Sequence, residues 1–195
     1  NLYTDADFGL KADVKAEAKG TNADTYYMGL TKDSFTNKNA NFAVTFKVTD
    51  GWLKIDKNEA AVTVTIKGKK KTEPYTGTEK TVTGYTTEVT GAEESEVNVA
   101  LKADAKAEAK GINADTYYMG LTKDSFKVTS NNYKNINVVV EDGSLTINPA
   151  AVTVTITGNT KTEKYTGTEK TVTGYTATKS NNLYTDTDFG LKADV

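Results

Sequence analysis

The stretch KADVKAEAKGTNADTYYMGLTKDSF, from Lys11 to Phe35, returns from Lys102 to Phe126 with changes only at Val14/Ala105 and Thr21/Ile112. A second pair, AAVTVTI at Ala60 and again at Ala150, is followed by TGTEKTVTGYT at Thr76 and Thr166. Such duplication limits the function of the chain more than any single motif does. The period of about ninety residues suits whole small domains rather than solenoid units. The chain opens with NLYTDADFGLKADV at Asn1 and closes with NLYTDTDFGLKADV from Asn182, so it starts and stops inside a repeat and reads as an excerpt from a longer array.

The local pattern is that of strands. From Ala61, Val62, Val64 and Ile66 fall on one face while Thr63 and Thr65 fall on the other, a β-branched alternation of period two. Between Val97 and Lys110 the apolar set Val97, Val99, Leu101, Ala103, Ala105, Ala107 and Ala109 alternates with charged residues from Lys102 onward, which a helix would scatter around its axis. One strand with small inward residues is expected there. Gly111, Asn113 and Asp115 supply turn chemistry before Thr116 to Leu121, which predicts a hairpin whose buried face carries Tyr117, Met119 and Leu121. Thr122 can cap a single helical turn in LTKDSF. Phe42, Val44, Phe46 and Val48 run towards Asp50-Gly51, after which Leu53 and Ile55 predict a second hairpin. The later copy has one residue more between Tyr133 and Ile136, which a bulge would absorb. The expected class is all-β: tandem, elongated, β-sandwich-like modules with a short helical turn, with a β-grasp-like α+β module as the alternative.

Composition narrows the chemistry. The chain has no Cys and no His, and all of its cations are Lys. That removes a Ser-His-Asp triad, a thiol nucleophile and the usual zinc ligands. Without Arg there is no bidentate fork for phosphate or guanine, and a net charge of -2 offers no basic field, so nucleic acid is not an expected partner. Carboxylate or Lys chemistry stays open in principle, but small duplicated modules are poor places for such a pocket. No apolar run approaches the ~20 residues of a membrane span, so no membrane contact is expected within this segment.

Taken in order, AVTVTITG, then K-T-E-x-Y-T-G-T-E at Lys71 and Lys161, then ADTYYMGL, then the NY or NF strand ending in DGSLTI or DGWLKI, resemble the MBG-type and related Ig-like repeats of bacterial surface adhesins. Together they cover most of each copy. The chain departs from that pattern at Tyr75-Thr76-Gly77 and Tyr165-Thr166-Gly167, where the family usually has an acidic Tyr-Asp-Gly or a Tyr-Gly turn. The resemblance implies a non-catalytic stalk module of a secreted or wall-attached, Gram-positive surface protein, extracellular, without cofactor or metal. Its partners would be neighbouring repeats and a host glycan or glycoprotein. The family phase places a complete module at 57–148, the C-terminal part of one repeat at 1–56 and the N-terminal part of the next at 149–195. The alternative is permuted modules at 1–91 and 92–181, divided in the polar stretches Thr87 to Glu96 and Ala177 to Asn181. In half-modules the apolar faces lack partners. Head-to-tail self-association through them is therefore expected, unless the folding unit is permuted.

Three aromatics are candidate ligand contacts. Trp52 is the only Trp, lies beside Asp50-Gly51 and is replaced by Ser144 in the later copy, so it is no part of the shared core. A sugar-binding surface uses an aromatic in that position, while the ordinary alternative is packing against an adjacent module or linker. Tyr27 and Tyr118 are the outward members of the Tyr26-Tyr27 and Tyr117-Tyr118 pairs; they can stack on glycans or simply pack across strands. The D-x-D pairs Asp5/Asp7 and Asp186/Asp188 supply too few oxygens for Ca²⁺ and read as solvated loops. Lys67, Lys69, Lys70 and Lys71 read as a solvated hairpin end. An intramolecular Lys-Asn isopeptide bond would need a buried Lys, and every Lys that the pattern places points outward.

Overall fold

In the computed structural model, residues 2–191 are described; Asn1 and residues 192–195 of the third expected segment lie outside that range. The fold is all-β, built of two- and three-stranded sheets joined by single 3₁₀ turns, with no α-helix among the described residues. In chain order the strands are β1 Phe8–Leu10, β2 Thr25–Tyr27, β3 Phe35–Asn37 and β4 Trp52–Lys54, then β5 Val62–Gly68, β6 Lys70–Pro74, β7 Lys80–Thr83 and β8 Tyr85–Thr90. They continue with β9 Asn98–Leu101, β10 Glu108–Gly111, β11 Thr116–Tyr118, β12 Phe126–Thr129, β13 Ile136–Glu141 and β14 Ser144–Asn148, and end with β15 Val154–Gly158 and β16 Tyr175–Lys179. The chain divides into two compact units. One is Asn1–Ile66, Thr87–Ala105 and Lys123–Val140; the other is Lys67–Thr86, Lys106–Thr122 and Glu141–Val195.

The first unit holds the antiparallel pairs β1–β3, β2–β4 and β9–β12, and most of a three-stranded sheet with β5 between β13 and β8. The alternation read in β5 is real: Val62, Val64 and Ile66 are fully buried while Thr63 and Thr65 are half-buried. Burial of each such side chain stabilises the fold by roughly 1.5–3 kcal/mol. Near the N-terminus the aromatic rings make their own contacts. Phe46 lies 5.7 Å from Phe35 and 6.2 Å from Phe8, centroid to centroid, and Tyr3 meets Phe42 edge-on at 5.2 Å.

The second unit holds the antiparallel pairs β10–β7 and β15–β16 and the sheet β11–β14–β6, in which β14 runs parallel to β6. Its core gathers Val82, Ala109, Leu145 and Ile147, with Tyr75, Tyr117 and Met119 packed against them. Two backbones come unusually close here. A Cβ at Gly68 would sit 2.3 Å from the Gly143 nitrogen, and one at Gly143 would sit 2.7 Å from the Lys69 carbonyl oxygen. Only glycine fits at either position.

Several sequence expectations need correction. The expected single strand from Val97 to Lys110 is two strands, because the chain turns where the Ala105 amide donates to the Lys102 carbonyl at 3.1 Å and Ala103 is exposed. Its two parts then serve different partners, β9 pairing with β12 and β10 with β7. Neither expected hairpin forms: β11 pairs with β14 instead of β10, and β14 with β11 and β6 instead of β13. The four lysines from Lys67 do not cap a hairpin either, since β5 and β6 belong to different sheets. Lys71 pairs with Glu73 at 2.6 Å, and Lys67 lies 3.9 Å from Glu141. The polar stretch from Thr87, expected as loop, continues β8 to Thr90. The helical turns in LTKDSF do form, as Lys32–Ser34 and Lys123–Ser125, and Thr31 caps the first by accepting from the Asp33 amide at 3.3 Å.

Candidate functional site

The β2–β4 pair builds the one place where two of the three singled-out aromatics meet. Alternation turns Tyr26 inward and Tyr27 outward on β2; on β4 it turns Leu53 to the inner side and leaves Trp52 and Lys54 facing out. The register pairs Tyr27 directly with Trp52, Tyr26 with Leu53 and Thr25 with Lys54. Tyr27 is 67 % and Trp52 60 % exposed, so both rings present broad apolar faces to solvent. Trp52 thus opens a strand rather than lying in a loop.

The scaffold under this pair is fixed by hydrogen bonds. The Asp50 carboxylate accepts from the backbone amides of Gly29 at 3.0 Å and Leu30 at 2.8 Å, holding the chain after β2 against the start of β4. Gly29 takes a φ of 74°, a conformation that favours glycine, and this lets both amides face the carboxylate. The Met28 amide donates to the Gly51 carbonyl at 2.9 Å, and the Ile55 amide to the Asp24 carbonyl at 2.9 Å. Tyr26 is anchored through its hydroxyl, which donates to the Asn22 carbonyl at 3.0 Å. Next to the pair, Lys54 binds Asp56 at 2.8 Å.

Tyr118 occupies the corresponding place on β11, 70 % exposed, but its cross-strand partner is Ser144, followed on β6 by Lys70. The same fold therefore carries an aromatic pair in one copy and a single Tyr beside hydroxyl and ammonium groups in the other. Two exposed rings on adjacent strands can grip a flat, partly apolar ligand such as a sugar face or a protein side chain; Trp and Tyr are the residues most often found at such contacts. As cross-strand neighbours they also add roughly 0.2–1 kcal/mol to the sheet.

Clefts also lie away from this pair. One, of about 500 Å³ in the first unit, is lined by polar groups including Glu94, Ser95, Asn98 and Asn132. Asn132 is saturated there: its amide donates to Glu96 at 2.5 Å and Asn22 at 3.1 Å, and its oxygen accepts from the Ala23 amide at 2.8 Å. Another, about 290 Å³ in the second unit, is mainly apolar and lies among Tyr75, Pro149, Val152, Leu183 and Tyr184.

The D-x-D segments are largely solvated, as expected, and each also forms a structured turn. Asp7 and Asp188 close 3₁₀ turns. The Asp7 carboxylate accepts from the Thr4 amide at 2.6 Å, the Thr4 hydroxyl at 3.0 Å and Asn39 at 2.9 Å, while Asp188 accepts from the Thr185 amide at 2.6 Å and its hydroxyl at 2.7 Å. The backbone hydrogen bond, chiefly, holds each carboxyl below the ordinary aspartate range. A depressed folded value means that the turn's stabilisation is present above the ordinary aspartate value and is lost as pH falls through the lower, folded one. In an NMR titration the Thr4 and Thr185 amide resonances are expected to move only below the ordinary aspartate range, and Asp7→Asn should abolish the Thr4 movement. No cluster of three or more carboxylates suited to a metal is found among the described residues. No protein-family model, curated protein or solved structure matches the chain.

Proposed function

We propose that the chain is a non-catalytic structural segment: a β-rich stalk of a bacterial surface adhesin that holds a binding region away from the cell, in the extracellular space. The observation that supports this reading is the duplication of a hydrogen-bonded frame. The clamp Asp50 makes on Gly29 and Leu30 is repeated by Asp142 on Gly120 at 3.0 Å and Leu121 at 2.9 Å. Trp52, exposed in one copy, gives way to the half-buried Ser144 in the other, so the aromatic is no part of the frame. A frame copied while a singular exposed aromatic is not copied is what a spacer requires. A stalk should unfold under force in equal steps, each releasing about ninety residues, or ~300 Å of extended chain. Single-molecule pulling on a concatenated array measures this, and unequal or absent steps would count against it.

A second reading, in which the repeats themselves hold host glycans or glycoproteins multivalently, is favoured by the exposed Tyr27–Trp52 pair. A glycan array separates the two. The stalk reading expects no retention; the binding reading expects retention that Trp52→Ala and Tyr27→Ala each reduce at least tenfold, the loss of about 1.4 kcal/mol per contact.

A further inference from the structure

Within the first unit, residues 1–56 are joined to the repeat that follows by more than the continuous chain. The linker itself is held. The Asn58 amide donates to the Asn132 carbonyl at 2.7 Å, the Lys134 amide donates to the Asn58 carbonyl at 2.9 Å, and the Lys57 ammonium donates to the Ser130 carbonyl at 2.7 Å. Asn58 thereby bridges to Tyr133. These bonds tether only the chain leaving β4, and modules joined through one linker swing unless a further contact stops them.

That further contact comes from the chain entering β2. The turn at Asn22 and Ala23 is formed in advance by Tyr26, whose hydroxyl accepts from the Asn22 amide at 3.2 Å and donates to the Asn22 carbonyl at 3.0 Å. The Tyr26 ring closes over Gly20, where a Cβ would sit 2.0 Å from a ring carbon. Facing the turn is the half-buried Asn132 of the following repeat. Its side-chain oxygen accepts from the Ala23 amide at 2.8 Å, and its nitrogen donates to the Asn22 side-chain oxygen at 3.1 Å and to the Glu96 carboxylate at 2.5 Å. An ionised carboxylate only accepts, so Glu96 sets which end of the Asn132 amide meets each group of the turn. Both parts recur in the sequence. Asn113-Ala114 repeats the turn, with the Tyr117 hydroxyl donating to the Asn113 carbonyl at 3.2 Å, and Asn41 precedes Phe42 as Asn132 precedes Tyr133.

We infer that the Asn132 side chain is a latch between consecutive repeats, and that the partner it fits is the Asn22-Ala23 turn of the repeat before. The Ile55 amide donates to the Asp24 carbonyl at 2.9 Å, so the turn and the linker lie on neighbouring strands. Latch and linker bonds together tie both strands of the β2–β4 pair to the loop that follows β12. Attachment through two strands resists the twisting that one strand permits. The inference rests on the stalk reading for its purpose, since it names what stiffens the joint. Unequal pulling steps would sink that reading and leave the latch in place.

Residual dipolar couplings and amide hydrogen exchange on the full chain test it. In the parent, the amides of β2 and β4 and those of β9 and β12 should fit one alignment tensor. In Asn132→Ala they should need two, and the Ala23 amide should exchange at least tenfold faster. Asn22→Ala approaches the contact from the other side. It keeps the backbone carbonyl that holds Tyr26 and the bond from the Ala23 amide, so it should speed that exchange by a smaller factor. Asn131→Ala changes the neighbouring residue, which makes none of these bonds, and should behave as the parent; this separates the latch from a general loosening of the loop. Two tensors in the parent overturn the inference. So does a single tensor or unchanged Ala23 exchange in Asn132→Ala, or an equal effect from Asn131→Ala.

Discussion

Replacing Leu145 by Ala is expected to cost ~2–5 kcal/mol, while the same change at Leu53 should cost less than ~1 kcal/mol. Both leucines follow an Asp-Gly pair by two residues and sit on corresponding strands. The difference is burial. Leu145 is fully buried beside Ile147, Val82 and Ala109, on a strand with neighbours on both sides, so truncation leaves a cavity that β6 and β11 cannot close without breaking their ladders. Leu53 is 38 % exposed on a two-stranded pair and its truncated site fills with water. At ~4–8 °C per kcal/mol for a domain of about ninety residues, Leu145→Ala should lower the melting temperature by ~10 °C or more. Thermal denaturation followed by circular dichroism measures both. Equal losses would mean that Leu53 is buried in solution.

Strands were legible in the sequence wherever β-branched residues kept strict period two, as in β5, where the side chains alone fix which face is buried. The turn at Lys32–Ser34 was legible through its Thr cap. Strand partners were not. Asp-Gly ahead of an apolar run suggests a tight hairpin, but the favoured two-residue turn needs positive φ at both central residues, and neither Gly51 nor Gly143 adopts it. The Asp side chain instead reaches amides more than twenty residues away, and β13 and β14 separate into different sheets. The parallel pairing of β14 with β6 depends on the close passage of Gly68 and Gly143, which no local pattern encodes. At the candidate site, alternation showed that Tyr27 and Tyr118 face outward. That Tyr27 lies opposite Trp52 follows from a register between strands distant in sequence, and only the fold reveals it.

Asp142→Ala is expected to cost about 2–3 kcal/mol, a large effect for a residue at the end of a strand. Its carboxylate accepts from three backbone amides, those of Gly120 at 3.0 Å, Leu121 at 2.9 Å and Gly143 at 2.8 Å. The amides converge because Gly120 takes a φ of 75°, turning the chain after β11 back towards the start of β14. Removing the carboxylate leaves all three donors to find water, and the Leu121 amide is poorly placed to do so, since its side chain is 5 % exposed and plugs the interior. Asp142→Asn keeps one acceptor oxygen without the charge and should lose roughly half as much. Hydrogen exchange adds the local reading: the Leu121 and Gly120 amides should exchange faster in both variants, more so in Asp142→Ala. Asp50→Ala should release the Gly29 and Leu30 amides in the same way but barely change global stability, because the sheet it supports is half-exposed. A loss at Asp50 as large as that at Asp142 would show that the N-terminal segment carries a closed core.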